Sequence, residues 1–533
     1  MTVTDAQQTQ TGPTVLLPRV RTLLTGLPSW EAAVVASPQA ERFELTTPLT
    51  GETLATVPQS TPADVAAAFA AARPAQRRWA RTPLHERSAI ALRFHDLVLD
   101  HQEELLDLIQ LESGKTRANA FEEVADTALV SRHYARRLRE YLVGYTRHGA
   151  FPVLTVSRTS RLPKGVVGVV APWNYPLSMS LTDAIPALLA GNAVVLRPDN
   201  RSALTALRAV ALLREAGLPD GVLRVVLGDG PTVGQAVVET ADYVCFTGST
   251  ATGRHVAETC GRRLVGCSLE LGGKNALYVA ADADLDRAAR GAVVASFASA
   301  GQLCVSMERL VLDETIADAF LERFLAQVAA MRLSTELAYG ADMGSLASAA
   351  QLDTVERHVA DALAHGARLL AGGHRRPEIG PLVHEPTVLE GLAEPMLAYR
   401  EETFGPVVGV YRVRGDAGAL AVMNDSDYGL NASIWSRDVR RARHLAARVK
   451  AGTVNINDGY AASWSVTGAP MGGMGQSGLG RRHGAEGLRK YTEEQNVTVQ
   501  RGLTLAGPEG VDQERWTGFL AGALKAAKWG GLR

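Results

Sequence analysis

The chain has 533 residues, 46% apolar and 21% charged, enough for two or three packed units of an ordinary globular protein. Its 55 basic and 56 acidic residues leave a net charge of −1, which gives no electrostatic argument for nucleic acid or for an anionic membrane surface. No segment reaches the roughly 18 unbroken apolar residues of a membrane span; the four cysteines, Cys245, Cys260, Cys267 and Cys304, form no Cys-x-x-Cys pair and no disulfide framework, so reduced thiols in a cytoplasm fit best.

Residues 1–14 are polar and read as a flexible tail without the regions of a signal peptide. From Pro62 to Tyr145, Ala, Leu, Arg and Glu recur at helical spacing. Asp64 is placed to cap a helix running into Phe69; further helices are expected from Leu84 to Ile109 and from Arg117 to Tyr141. The pattern changes at Lys164–Pro172, an apolar β-branched run with the look of a strand buried on both faces. Similar runs follow at Ala193–Leu196, Leu223–Leu227 and Tyr243–Phe246. Helical stretches separate them at Ser180–Ala190, Ser202–Ala216 and Pro231–Thr240, which predicts a parallel sheet wrapped by helices. The alternation resumes with a strand at Asn275–Val279, a helix at Leu285–Ala298 and a strand at Arg309–Leu312. Near the C-terminus Trp516, Leu520, Ala523, Leu524 and Ala527 recur at helical spacing and predict an amphipathic helix docked on the protein.

Two residues carry the chemistry. Cys304 follows Gly301 and Gln302 just after a helical tract, at a turn that exposes a backbone N–H beside the sulfur. Glu270 sits between Leu269 and Leu271, ahead of the close-packed pair Gly272-Gly273; desolvation there raises a carboxyl toward the range of a general base. A soft nucleophile and a base together describe an enzyme that forms a covalent sulfur intermediate and hydrolyses it. Asn174, in Pro172-Trp-Asn-Tyr-Pro176, offers an amide donor to a developing oxyanion. The competing readings are a core thiol, a surface carboxylate and a plain turn; the company of the three favours the chemistry. Gly228, Gly230 and Gly234 follow one strand, and Phe246-Thr-Gly-Ser-Thr250 follows another. Each opens a helix whose N-terminus favours anions, though neither matches Gly-x-Gly-x-x-Gly. No His/Cys cluster has metal spacing, so no metal site is expected.

Seven segments, in order, resemble the aldehyde dehydrogenase superfamily from about Pro48 to Val497. They are Pro172–Pro176, Phe246–Ser249, Glu270–Lys274, Gly301–Cys304, Glu401–Pro406, Asn424–Asn431 and Pro470–Gly478. The resemblance implies an α/β fold of two doubly wound parallel-sheet domains plus a small β bridging element. An NAD(P)-binding domain would take 15–141 and 162–271, a catalytic domain 272–480, and the bridging element 142–161 with 486–499, leaving 500–533 as a tail. It also implies a homodimer or homotetramer. The implied reaction oxidises an aldehyde to its acid. Cys304 attacks the carbonyl, Asn174 and the Cys304 N–H hold the oxyanion, hydride passes to the nicotinamide, and Glu270 activates the water that hydrolyses the thioester. Glu402 would hold the nicotinamide ribose, Phe404 pack near the ring, Ser249 contact the pyrophosphate and Trp173 line the cofactor pocket. Thr247, Gly248, Leu271 and Gly272 complete the implied cofactor site.

Three departures matter. Where the family often reads Lys-Pro-Ser-Glu, this chain has Arg197-Pro-Asp199-Asn200. Asn200 removes the Glu that would repel a 2′-phosphate and Arg197 and Arg201 add positive charge, which predicts NADP as cofactor with NAD as the second candidate. The detailed likeness is to a divergent type of NADP-dependent succinic-semialdehyde dehydrogenase, through Ala469-Pro-Met-Gly-Gly-Met-Gly475 and Gly480-Arg-Arg-His-Gly484. Yet the two arginines with which the better-known type grips the substrate carboxylate are Ala298 and Thr182 here, leaving Arg481, Arg482 or His483 as replacements against a surface or interface reading. Ser306 replaces a second cysteine, so no local disulfide switch is expected. Other semialdehydes and a broad specificity stay open. An acyl-transferring relative would lack Glu270, and a binding protein that had lost activity would have lost Cys304, Asn174 or Glu270.

Overall fold

The computed structural model describes residues 16–149, 155–501 and 506–529; the tail expected over 1–14 lies outside them. Two open sheets organise the molecule. The first has six strands in the order Gly478–Leu479, Gly266–Glu270, Tyr243–Thr247, Val166–Val170, Ala193–Arg197 and Leu223–Val225. All neighbours are parallel except the first pair. Every residue of Val166–Val170 and Ala193–Arg197 is buried, as the β-branched runs predict for strands covered by helices on both faces. The second sheet has seven strands in the order Arg368–Ala371, Thr387–Glu390, Val407–Val413, Met307–Asp313, Asn275–Val279, Asn431–Trp435 and Thr453–Ile456. Only Arg368–Ala371 runs antiparallel to its neighbour.

One stretch of chain joins the sheets. The strand Gly266–Glu270 ends in the first, and after four residues Asn275–Val279 begins in the middle of the second. Glu270 therefore stands at the crossing. The route to Cys304 is as constrained. The helix Leu285–Phe297 ends in a short turn, Ala298–Gly301, where Ser299 and Ala300 hold left-handed φ values of 51° and 54°. Gly301 follows at φ 71°, where a Cβ would lie 2.0 Å from the Gly405 carbonyl oxygen, so the turn packs backbone against backbone.

Several local expectations need correction. Thr61, not Asp64, is the N-cap of the helix Pro62–Trp79; Asp64 sits at N3 and bonds back to the Thr61 N–H, a capping box. The helix expected from Leu84 to Ile109 is two helices, Leu84–Asp100 and Gln102–Ser113, broken at His101, whose Nδ1 bonds Glu104 in the next turn. The stretch Ser180–Ala190 is also two helices, Pro176–Leu181 and Ala184–Leu189. Pro186 has no N–H to give the Thr182 carbonyl, so the first helix cannot continue through it.

A third, antiparallel sheet of Thr492–Gln500, Thr155–Pro163 and Tyr145–His148 stands apart from these two. The expected C-terminal helix forms as Gln513–Trp529. Its Trp516 is buried and Leu520, Ala523 and Ala527 are half-buried, but Leu524 is 54% exposed and lies off the covered face.

Candidate functional site

The sheet crossing and the strained turn face one another across a cavity of about 290 Å³. Cys304, Glu270, Asn174, Trp173, Thr247, Gly248, Ser249, Leu271, Gly272, Glu402 and Phe404 all line it. A second cavity of about 610 Å³ shares Pro172, Trp173, Thr247 and Gly248 with the first, so the two form one cleft. Arg197, Asp199, Gly230, Gly234 and Phe246 line this second part. Asn200 and Gly228 are not among its walls. The Asn200 side chain instead accepts the Gly228 N–H at 2.9 Å, and Arg197 donates to the Gly228 carbonyl from Nε at 3.0 Å and from its terminal nitrogen at 2.7 Å. These three residues shape the turn behind the cleft.

Cys304 is partly exposed to the cavity, and Asn275 Nδ2 donates to its carbonyl at 2.7 Å. Burial, then the carboxyls of Glu270 and Glu402, push its thiol up to about 12, so the sulfur rests protonated at neutral pH. Glu270 is 8% exposed and its Oε1 has no hydrogen-bond partner. Burial raises this carboxyl to about 7, with Arg482 opposing, so at neutrality it is a carboxylate about half the time and can exchange a proton. Asn174 donates one amide hydrogen to the Gln302 carbonyl at 3.0 Å, which fixes the amide plane and leaves its second N–H for a ligand.

The support behind Asn174 is a buried ion pair with no sequence signature. Lys115 Nζ bonds both the Asn174 carbonyl and Glu123 Oε1 at 2.7 Å, and its ammonium lies 3.5 Å from the Tyr175 ring centre. The other oxygen of Glu123 accepts the N–H groups of Leu177 and Ser178 at the start of the next helix. A second such pair, Lys274–Glu308 at 2.5 Å, lets Glu308 accept the N–H groups of Thr403 and Phe404.

The cleft's shape suits an extended anionic ligand. Ser249 caps the helix Thr250–Arg263 and presents its N-terminus to the cavity. A Cβ on Gly272 would lie 2.3 Å from Glu402 Oε2, so only glycine allows Glu402 this close approach, whereas one on Gly230 would meet nothing within 4 Å. Glu402 accepts the Gly273 N–H at 2.7 Å, and burial followed by Glu308 raises it to about 8. Trp173 and Phe404 meet edge to face at 5.7 Å. Arg482 and His483 reach the cavity wall, as do Asp126, Tyr175 and Trp464 from other parts of the chain; Arg481 turns away, donating to the Gly473 and Gly480 carbonyls. Among the described residues no group of three or more His, Cys, Asp or Glu is placed to hold a metal ion, and no helix is long and apolar enough to cross a membrane.

Comparison with known proteins agrees with this geometry. The model of the aldehyde dehydrogenase family matches residues 34–497. A proposed NADP-dependent succinate-semialdehyde dehydrogenase of Mycolicibacterium smegmatis is 50% identical over 479 residues, 90% of this chain and 93% of its own. A similarly named protein of Mycobacterium tuberculosis is 48% identical over 467 residues, 88% of this chain and 90% of its own. Among solved structures, an E. coli NADP-dependent enzyme superposes with a TM-score of 0.83 at 33% identity, covering 87% of this chain and 96% of that one. Staphylococcus aureus betaine aldehyde dehydrogenase, solved with NAD+, gives 0.84 at 31% identity, covering 90% and 95%.

Proposed function

Because the chain belongs to the aldehyde dehydrogenase family, we propose that it oxidises succinic semialdehyde to succinate with NADP, through a thioester on Cys304. The observation that carries this is the convergence of Cys304, Glu270 and Asn174 on one cavity that opens into a long cleft. The names of the relatives support the substrate and the cofactor.

In this reading Glu270, half ionised near pH 7, takes the proton that the Cys304 thiol holds. The sulfur then attacks the carbonyl carbon, and the second N–H of Asn174 and the Cys304 N–H meet the oxyanion. A nicotinamide cofactor, which Ser249, Glu402 and Trp173 would hold along the cleft, would accept the hydride that leaves this carbon as the oxyanion collapses to the thioester. Glu270 gives that proton up to solvent and then takes one from water; the hydroxide oxygen attacks the thioester, the C–S bond breaks, and the sulfur returns as the leaving group.

Asn200 contributes its hydrogen bond to Gly228 rather than a surface to the cofactor, so selectivity for a 2′-phosphate falls to Arg201. Its guanidinium lies 4.9 Å from the Trp173 ring centre, and its Nε donates to Asp199 at 2.9 Å on the wall of the second cavity. A dianionic phosphate competes with Asp199 for that cation. Arg201→Ala is expected to raise the NADP KM about tenfold while moving that of NAD much less; equal changes for both cofactors would remove Arg201 from this role. The substrate itself is tested by steady-state rates on straight-chain aldehydes and carboxylate-bearing semialdehydes with both cofactors. No preference for the four-carbon semialdehyde would overturn the assignment.

The cofactor domain is placed at 15–141 and 162–271, the catalytic domain at 272–480, and the bridging element at 142–161 and 486–499. The two large sheets and the separate antiparallel sheet support this division, apart from Gly478–Leu479, which pairs into the first sheet. A cytoplasmic location is supported by the four unpaired cysteines. Assembly as a homodimer or homotetramer is supported by the exposed edge strand Thr492–Gln500 of the third sheet.

A further inference from the structure

We propose that Arg482 receives the carboxylate at the far end of the substrate and makes the enzyme selective for aldehydes with an anionic tail. This deepens, and rests on, the aldehyde-oxidising reading of the Cys304 cavity. Arg482 is 8% exposed and reaches the cavity from a short backbone pairing in which it and Met471 exchange N–H···O bonds at 2.6 and 2.8 Å. One terminal nitrogen donates to Asp183 Oδ2 at 2.7 Å and to Thr182 Oγ1 at 2.9 Å. The other terminal nitrogen has the Met179 sulfur, at 2.9 Å. A thioether is a weak acceptor, so one edge of a buried cation is poorly satisfied, and Met179 and Thr182 line the same cavity. A carboxylate there replaces the sulfur with a charge-assisted partner.

The charges around it favour an anion. Asp183 is shared, taking a bond from Lys490 Nζ at 3.0 Å as well, so two cations face one carboxylate that they hold well below its usual range despite burial. Beside Arg482, His483 is buried on the same wall and its Nδ1 has no hydrogen-bond partner. Burial, then the charge of Arg482, keeps that ring neutral, so it can offer an N–H to an anion without adding charge. Glu270 and Asp126 are the opposing carboxyls. Asp126 Oδ1 has no partner, and burial raises the two carboxyls to about 7 and about 6, which reduces their repulsion.

The test compares two four-carbon substrates, the ω-carboxylate semialdehyde and uncharged butanal, in the wild type, Arg482→Gln and Arg482→Lys. The wild type is expected to prefer the semialdehyde. Arg482→Gln is expected to cut that preference in kcat/KM by about 30-fold, mainly through KM, and Arg482→Lys to restore part of it. A preference that survives both substitutions overturns the role of Arg482 and leaves the aldehyde-oxidising reading standing; a wild type that oxidises neither substrate overturns that reading instead. Product inhibition needs no variant: succinate is expected to compete with substrate at least about tenfold more tightly than butanoate, and equal inhibition overturns the proposal.

Discussion

Cys304 and Glu270 divide the chemistry by where their protons sit. A thiol held near 12 is a poor nucleophile until a base takes its proton, and the neighbouring carboxyl near 7 is the group matched to that task. The folded value of Glu270 lies above the usual carboxylate range, so its basic form fills as pH rises through about 7 and is lost below it. Turnover should therefore fall on the acid side with an apparent midpoint near 7. Glu270→Gln should lack that limb and suppress both the stopped-flow burst of reduced cofactor and the steady state; an unchanged burst and steady state would assign the base elsewhere. Cys304→Ala should abolish turnover while cofactor still binds. Leu269, Leu271 and the glycine pair made the burial of Glu270 legible in sequence. The height of the Cys304 thiol was not, because part of it comes from Glu402, nearly a hundred residues away in the chain.

At the scale of elements, what positions the site is buried charge between helices. Lys115 lies just past the helix Gln102–Ser113 and Glu123 within the helix Arg117–Leu142, and together they fix the Asn174 loop and the helix that follows it. Removing one partner leaves the other charge buried and unpaired, which typically costs about 3–5 kcal/mol. Lys115→Met should thus lower the thermal midpoint markedly, and Lys115→Met with Glu123→Leu should recover much of it. A larger loss in the double variant would show that the pair is itself a net stabiliser. Nothing in periodicity announces such a pair, since Lys115 falls in a loop and Glu123 looks like an ordinary helix-surface residue. Periodicity also runs through helix breaks that depend on one residue. The interruption at His101 leaves the apolar spacing intact, and the split near Asp183 reflects a single missing N–H on Pro186. The fully buried strands were legible because a β-branched run has few other places to go.

At the scale of the whole molecule, two sheets share one stretch of chain, and a third sheet stands outside them with an exposed edge strand. The strand Thr492–Gln500 has eight exposed residues of nine, and it is an edge, paired on one side with Thr155–Pro163. Val497 and Val499 are 55% and 49% exposed on it. A long edge strand is a template for another chain, and proteins otherwise shield such edges with charged side chains, proline or a bulge. No proline or bulge interrupts Thr492–Gln500, and its two charged residues, Glu493 and Glu494, lie at one end against Lys164 and Arg161. A second copy pairing along this edge satisfies the backbone and covers both valines, consistent with the proposed oligomer. The double variant Val497→Lys with Val499→Lys places two like charges on one face of the strand, beside the side chains of a partner strand, and desolvating them on assembly costs more than the contact returns. Size-exclusion chromatography with light scattering should then report a monomer, with far-UV circular dichroism unchanged because the substituted side chains are already exposed in one copy. An unaltered assembly mass would move the interface to another face.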